Sequence, residues 1–593
     1  MKAFVEEDKV QSSLSVWQMI GRLWPYTRRF PWLFTVTIVS ILGLATASRV
    51  LPWLFGQAID EGILKNNAEI VTRIALIYLG VEVIRCAFDF SYLYFFQKLG
   101  QKVLTDIRQD LNDRVQSLPI DFFNKNPIGR IVTRLTNDTA TLSEVFSNGV
   151  IQIITEGVIF ISVVVAMSLI SWKLTLVTMI TAPFFLFLAF RLAGRLRVIL
   201  RESKKRLSVL SSYASEQLSG IRVVQIYNRR PQSFQRFRDQ SARYRDALLN
   251  SIKHYALLQP LMNIFNGVTL TLALSYGGYL TLEEAIPIGS MVAFLMHAQD
   301  LIAPLREILE KFQQFQNSLT SAERVFHTLD EKPERMESVV HPLKIQGSLE
   351  FRELNFRYSE GLPWVLKNFN HQVPAGRKVA LVGRTGSGKS TLVALLQRFY
   401  DAPLGTVFID GRAIEDFDLR SLRRRIGVVQ QDPFIFRGTI EENLRLGQAE
   451  FPRERLQAAL DRIGYGAFLR ATGRGLESFV EERGANLSSG ERQLLSFARI
   501  LVFEPDVLIL DEATAHIDSQ SEQLIQQATE EVTAGRTSLI VAHRLSTIEK
   551  CDEILVLDHG ELKERGTHTE LMARGGLYHA VATAGLQSTS GKA

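Results

Sequence analysis

The sequence predicts a chain in two parts, an α-helical membrane domain with six spans followed by an α/β domain. Three observations carry that prediction. Apolar blocks of about 20 residues, the length needed to cross a bilayer, recur up to about residue 325 and cease beyond about 345. In the second half, a glycine-rich loop stands between a strand-type run and a helical pattern. Further along, another apolar run ends in two adjacent carboxylates.

Composition sets the outer limits. At 593 residues the chain exceeds one ordinary domain. A surplus of +6 from 68 Lys+Arg and 62 Asp+Glu is too dilute to argue for a nucleic-acid partner, so none is expected. With only Cys86 and Cys551, a disulfide framework and a Cys-based zinc site are both excluded. Small secreted, collagen-like and wholly disordered chains are excluded too.

Six stretches fit a span: Pro31–Leu54, Val71–Phe96, Phe146–Ile170, Leu174–Leu192, Tyr255–Leu282 and Ile288–Ile308. Ahead of them no basic-then-apolar leader is recognisable, so no removed signal peptide is expected. Val16, Trp17, Ile20, Leu23 and Trp24 instead recur at helical spacing, as in a helix lying at the membrane interface. Seven Lys/Arg lie between Lys98 and Arg134 and fourteen between Arg195 and Lys253, whereas Leu282–Ile288 has none. By the excess of basic residues in cytoplasmic loops, these long loops, both chain ends and the second domain face the cytoplasm. The expected location is therefore the cytoplasmic (inner) membrane, crossed several times.

The basic loops are helical by pattern. Arg195–Tyr227 holds no Pro and a single Gly, and its apolar residues return every three or four positions. The fourth and fifth spans are thus expected to form long rods that turn near Asn228–Pro231. The second and third should form another pair, reversing after Asn137–Asp138. Charges within spans are costly and need reasons. Glu82, Arg85 and Asp89 share one helical face, either as a mutually neutralised cluster or as the lining of a polar path. Arg49, Glu156, His297 and Asp300 are further cases, and Pro304 is expected to kink the sixth span.

Val379–Val382 is followed by Gly383-Arg-Thr-Gly-Ser-Gly-Lys-Ser-Thr391 and then a helical pattern. This is G-x-x-x-x-G-K-S in its strand–loop–helix setting. Gly383, Gly386 and Gly388 permit tight turns, so backbone N–H groups from Thr385 to Thr391, with Ser387 among them, can converge on phosphate oxygens. Lys389 suits the β- and γ-phosphates, and the Ser390 hydroxyl suits Mg²⁺. Val507-Leu-Ile-Leu-Asp511-Glu512 places two carboxylates at the end of a buried strand. Asp511 suits Mg²⁺, and Glu512 suits polarising the attacking water.

Between these motifs, Leu487-Ser488-Ser489-Gly490-Glu491-Arg492-Gln493 resembles the signature segment of ATP-binding cassette (ABC) transporters. Six spans ahead of one cassette resemble an exporter half-transporter of the multidrug and lipid type. The resemblance implies a type I ABC exporter fold: a membrane domain over 1–330, a linker over 331–345, a cassette over 346–586 and a disordered tail over 587–593. It also implies residue roles. Tyr358 matches the aromatic that stacks on adenine, and Gln431 the glutamine that senses Mg²⁺ and the γ-phosphate. His543 matches the switch histidine, and Asp518 lies in the segment that passes between two ATP sites. Glu482–Gly484 matches a short cross-contact segment, while Gly129–Asp138 and Glu216–Asn228 match the loops that dock onto cassettes.

In that family Ser488 and Gly490 contact the ATP held by a second cassette, so the resemblance implies a dimer of half-transporters. Ser489 and Glu491 depart from the usual L-S-G-G-Q, as in the glutamate-bearing half of heterodimeric bacterial multidrug exporters. A heterodimer is therefore favoured, with a homodimer possible. The implied activity is ATP- and Mg²⁺-dependent export of hydrophobic or amphipathic compounds, in contact with membrane lipids. A lipid or glycolipid flippase is the alternative, and an ATP-gated channel is a weaker one. An importer is disfavoured, and six spans exclude a soluble ABC protein.

Overall fold

The computed structural model describes residues 16–145, 151–334, 344–511, 519–542 and 545–590. It divides into two compact units, one of residues 1–116 and 127–331, the other of residues 117–126 and 332–593.

The first unit is helical. Among the described residues, five helices are long and apolar enough to cross a membrane: Pro31–Ile63, Ile151–Ile170, Trp172–Ser219, Arg230–Leu282 and Ile288–Ile308. The remaining predicted span, Val71–Phe96, lies inside a 49-residue helix, Ala68–Gln116. Its polarity comes from Glu82, Arg85 and Asp89, which interrupt the apolar run. Residues 146–150, the start of the predicted third span, lie outside the described residues. Val163, Met167, Leu174, Ala273 and Phe294 form a fully buried cluster that ties the spans together. The leading helix Val16–Thr27 buries Met19 and Leu23 while leaving Trp24 about half exposed, an amphipathic division.

Helix ends follow local chemistry. Thr181–Ser219 runs 39 residues, roughly 58 Å at the α-helical rise. After the short helix Ile221–Ile226 the chain turns at Asn228, in the left-handed region at φ 50°, and returns as Arg230–Tyr255. That reversal lies where the sequence places it. The other does not. Ala68–Gln116 reverses through Ser117–Pro127, about 20 residues ahead of Asn137–Asp138, because Pro119 and Pro127 each forbid a continuous helix. Arg134–Asp138 is a π-helical turn that runs straight into Thr139–Val145. Asp138 is buried there, accepting from Arg324 Nε at 2.8 Å and Nη2 at 2.6 Å. The sixth span breaks at Asp300–Leu301 and restarts at Ile302, so Pro304 sits in a first turn, where its missing N–H costs little.

The second unit is α/β. Its strands are β1 (Leu349–Phe356), β2 (Leu366–Val373), β3 (Lys378–Val382), β4 (Val407–Ile409), β5 (Arg412–Ala413), β6 (Ile426–Val429), β7 (Gly438–Thr439), β8 (Phe479–Val480), β9 (Val507–Asp511), β10 (Thr537–Val541), β11 (Glu553–Asp558) and β12 (Glu561–Gly566). The main sheet has the order β12-β11-β3-β10-β9-β6, parallel except for the edge pair β11 and β12. A smaller antiparallel sheet has the order β2-β1-β4-β5. Strands β3, β9 and β10 are buried along nearly their whole length because both faces of the sheet are covered. The last helix, Leu577–Ser590, continues four residues into the segment expected to be disordered, since a nucleated helix extends at little cost per residue. Residues 335–343, most of the expected linker, and 591–593 lie outside the described residues.

Ser117–Asn126 groups with the second unit although it lies within residues 1–330 of the sequence. Flanked by Pro119 and Pro127, the helix Ile120–Lys125 separates from its neighbours in sequence and belongs to the α/β unit. Asn124 donates to the Tyr400 hydroxyl at 2.7 Å, and the Glu334 N–H donates to the Ser117 carbonyl at 2.7 Å.

Candidate active site

Strand register assembles the site. Leu381 of β3 lies opposite Val541 of β10, and Val541 lies opposite Asp511 of β9. On the far side of β9, Leu510 pairs with Val429 of β6. The Gly383 loop, Asp511 and the segment carrying Gln431 therefore all leave the carboxyl ends of neighbouring parallel strands, the edge at which such sheets bind ligands. Gln431 is exposed there. Glu512 and Asp518, which follow β9, and His543, which follows β10, lie outside the described residues.

The loop between Val382 and the helix Lys389–Leu396 is shaped by its glycines. Gly386 and Gly388 have φ of 83° and 103°, in the left-handed region that other residues avoid. A Cβ on Gly388 would come within 2.8 Å of Leu366 Cδ2 and 3.1 Å of the Val365 carbonyl. Thr385 is exposed, whereas Ser387 and Thr391 are buried. Lys389 turns inward: its Nζ donates to the carbonyls of Gly383 at 2.7 Å and Arg384 at 3.0 Å. Burial pushes its pKa below the ordinary lysine value, and the charge of Asp511 opposes the shift. An ammonium so placed, with few water contacts, is ready to exchange carbonyls for phosphate oxygens.

Tyr358 presents an aromatic face beside this loop. Its hydroxyl is 2.8 Å from Thr391 Oγ1, and its ring packs edge-on against Phe356 and Tyr400, with centroids 5.2 and 4.8 Å apart. The residue is 42% exposed, which leaves a surface for stacking. Sequence reasoning missed Tyr400, since nothing in its spacing ties it to position 358.

A Mg²⁺ ion fits these residues. Ser390 is exposed at the start of its helix, and Asp511 is near enough to Lys389 for their charges to interact. Both offer hard oxygen donors, and no group of three or more His, Cys, Asp or Glu suited to a metal occurs among the described residues. Mg²⁺ characteristically takes one or two protein oxygens and completes its shell with water and phosphate. When bound, it would neutralise charge on the phosphates.

Ser488 and Gly490 occupy a different element. Ser488 caps the 15-residue helix Ser489–Phe503, and its Oγ accepts the Glu491 N–H at 3.2 Å. Among the described residues no hydrogen bond joins either residue to the Lys389 loop. Just upstream, Arg483 lies in the left-handed region at φ 55°, within a single 3₁₀ turn. Within the membrane unit, Arg85 pairs with Glu82 at 2.5 and 2.8 Å through a side chain that is one-third exposed. Arg49 reaches Asp300 at 3.1 Å and buried His297 at 3.4 Å, joining two spans that the sequence treated separately.

Known proteins share this arrangement. The family described as ABC transporter transmembrane region matches residues 33–305, and that described as ABC transporter matches residues 366–515. An uncharacterized ABC transporter ATP-binding protein, YknV of Bacillus subtilis, is 36% identical over 95% of this chain and 93% of its own length. An ATP-dependent lipid A-core flippase of Pectobacterium atrosepticum is 31% identical over 95% and 97%. A probable multidrug resistance ABC transporter ATP-binding/permease protein, YheH of Bacillus subtilis, is 35% identical over 85% and 75%. A solved structure described as a bacterial Atm1-family ABC exporter with ATP bound superimposes with a TM-score of 0.77 at 25% identity, over 94% of this chain and 98% of the other. With the phosphate loop, the strand-end carboxylate and the signature helix in one α/β unit, and apolar spans in the other, the chain belongs to the ABC transporter family and has the exporter fold of a transmembrane region joined to an ATPase cassette.

Proposed function

We propose that this chain is one half of a dimeric ATP-driven exporter of hydrophobic or amphipathic compounds. It sits in the cytoplasmic membrane with its cassette and basic loops on the cytoplasmic side. The observation that carries this reading is that the Lys389 loop, Asp511 and the Gln431 segment leave the carboxyl ends of β3, β9 and β6 in one parallel sheet, in a chain whose other unit is built of apolar spans. Lys389 binds the β- and γ-phosphates, Ser390 and Asp511 hold Mg²⁺ with Gln431 beside it, and Tyr358 stacks on the base. Glu512 orients the attacking water and His543 contacts the γ-phosphate. Ser488 and Gly490 serve the ATP of the opposite cassette, so turnover requires two chains. The departures at Ser489 and Glu491 favour a sister chain as partner over a second copy.

ATP drives the cycle by binding the closed pair of cassettes more tightly than the open one, because a ligand shifts an equilibrium only by its differential affinity. Hydrolysis then releases that closed state. Similarity to proteins named lipid A-core flippases supports a second reading in which the cargo is a lipid. The test is reconstitution of the chain, alone and with its partner, into sealed vesicles, with ATP hydrolysis and movement of a fluorescent amphiphile or a labelled lipid followed together. ATP-dependent movement of either probe is expected, and which one moves decides between the readings. Nucleotide consumption with neither probe moved overturns both. Glu512→Gln should keep ATP binding and lower turnover by roughly a hundredfold or more.

A further inference from the structure

Glu491 stands where the family's signature usually carries a neutral glutamine, and its surroundings show how the extra charge is accommodated. It is the third residue of the helix Ser489–Phe503 and is only 8% exposed. One carboxylate oxygen, Oε2, accepts the Ser488 N–H at 2.8 Å and completes a reciprocal cap with Ser488 Oγ. The other, Oε1, accepts from Arg474 Nη2 at 2.5 Å.

Arg474 comes from the loop after the helix Tyr465–Ala471 and is itself held in place. Its Nε donates to Thr472 Oγ1 at 3.1 Å, and its guanidinium lies 5.7 Å from the centre of the Phe468 ring. Tyr465 is fully buried nearby, and burial together with the Glu491 charge pushes its phenol above the ordinary tyrosine range.

A glutamine could make the same cap without bringing a charge. A carboxylate stabilises a helix N-terminus by itself, but it also opposes the approach of a triphosphate to that same tip. Arg474 supplies the compensating positive charge from inside the cassette. A salt bridge whose carboxylate is this buried is also sensitive to loss of one partner, because the remaining charge is then left uncompensated.

We infer that Arg474 is a positioning residue for nucleotide turnover: by pairing with Glu491 it restores neutrality at the signature tip, so that Ser488 and Gly490 can receive the ATP held by the opposite cassette. This rests on the proposed function, in which two cassettes close on ATP.

The experiment is steady-state ATPase of the full-length dimer in proteoliposomes, as wild type, Arg474→Ala, Arg474→Lys, Glu491→Gln and the double variant R474Q/E491Q. Arg474→Ala should raise the ATP concentration for half-maximal turnover roughly tenfold, the size of a strong charge effect at a helix end, with a smaller change in maximal rate. Arg474→Lys and R474Q/E491Q should recover most of that loss, since each restores neutrality. A residue that served folding alone would not be rescued by removing its partner's charge. Glu491→Gln alone should leave half-saturation equal to or below that of wild type.

An Arg474→Ala dimer with unchanged half-saturation, or a double variant no better than Arg474→Ala, overturns the inference. Where Arg474→Ala does not fold, Glu491→Gln decides: a raised half-saturation in that variant overturns it. A wild-type dimer that does not hydrolyse ATP counts against the proposed function instead, which keeps the two failures distinct.

Discussion

At the level of single residues, burial decides behaviour more than identity does. Lys389 is pushed toward its neutral form by desolvation, with Asp511 only partly opposing, so the loop gains little stability from the charge. Lys389→Ala should therefore abolish ATP binding by the cassette while shifting the thermal midpoint without nucleotide by no more than about 4 °C, the size of a ~1 kcal/mol change. Titration with a fluorescent nucleotide beside a melting curve checks both halves. His371 shows the same force acting on stability. Its ring is buried, and Nε2 lies 3.3 Å from Glu553 Oε2 with neither ring nitrogen aligned for a hydrogen bond among the described residues. Burial lowers its pKa, Arg565 adds to the shift, and the Glu553 carboxylate opposes it. A histidine that resists protonation in the folded state binds fewer protons than in the unfolded chain. Its contribution is thus intact above about pH 6.5 and lost as pH falls below that value. The cassette should melt at lower temperature as pH drops from about 7 to about 5, and His371→Gln should flatten that part of the curve. An equal slope in the variant would assign the loss to other groups.

Among elements, helix packing in the membrane unit depends on small residues whose role periodicity does not reveal. Gly56 and Gly289 bring the helices Pro31–Gln57 and Ile288–Gln299 to backbone contact: a Cβ on Gly289 would fall 2.0 Å from the Gly56 carbonyl oxygen, and one on Gly56 2.6 Å from that of Gly289. Asp60 reinforces the approach by accepting the Gly289 N–H at 2.7 Å. Apolar spans gain no hydrophobic driving force from meeting each other in lipid, so close van der Waals packing at such points carries the association. Gly289→Val should force these two helices apart and lower the yield of folded transporter in detergent, whereas Gly278→Val, where a Cβ meets nothing within 4 Å, should be tolerated. Size-exclusion profiles of the two variants check this, and equal profiles would show that the contact is dispensable. Existence and type of elements were legible in the sequence: apolar runs located the spans, and the glycine loop located β3 and its helix. Two things were not. The reversal lies at Ser117–Pro127, ahead of Asn137–Asp138, because Pro119 and Pro127 outweigh the apolar pattern that continues through Ile120, Phe122 and Phe123. The Arg474–Glu491 pair was invisible because residues 17 positions apart share no periodicity.

For the whole molecule, the boundary between the two halves of the sequence does not coincide with the boundary between the two units. Ser117–Asn126 follows the helix Ala68–Gln116 without interruption, yet it packs within the cassette unit. One residue gives that placement functional weight. Tyr400 accepts a hydrogen bond from Asn124 through its hydroxyl, while its ring sits 4.8 Å from Tyr358, which is proposed to stack on the base. The segment thus meets the hydroxyl of Tyr400, while the ring of Tyr400 supports Tyr358, so the two contacts use different atoms. Tyr400→Phe removes the hydroxyl and keeps the ring, so it should leave the ATP concentration for half-maximal hydrolysis within about twofold of wild type, since no stacking surface is lost. Transport per ATP hydrolysed should fall about threefold, in line with ~0.7 kcal/mol for one lost neutral hydrogen bond. Asn124→Ala should produce the same uncoupling, and the two substitutions together should cost little more than either alone, because they delete one shared bond. Simultaneous hydrolysis and transport measurements in vesicles provide the ratio. Additive losses in the double variant would mean that each residue acts through some other partner. A rise in half-saturating ATP for Tyr400→Phe would place the role of Tyr400 in nucleotide binding and not in transmission.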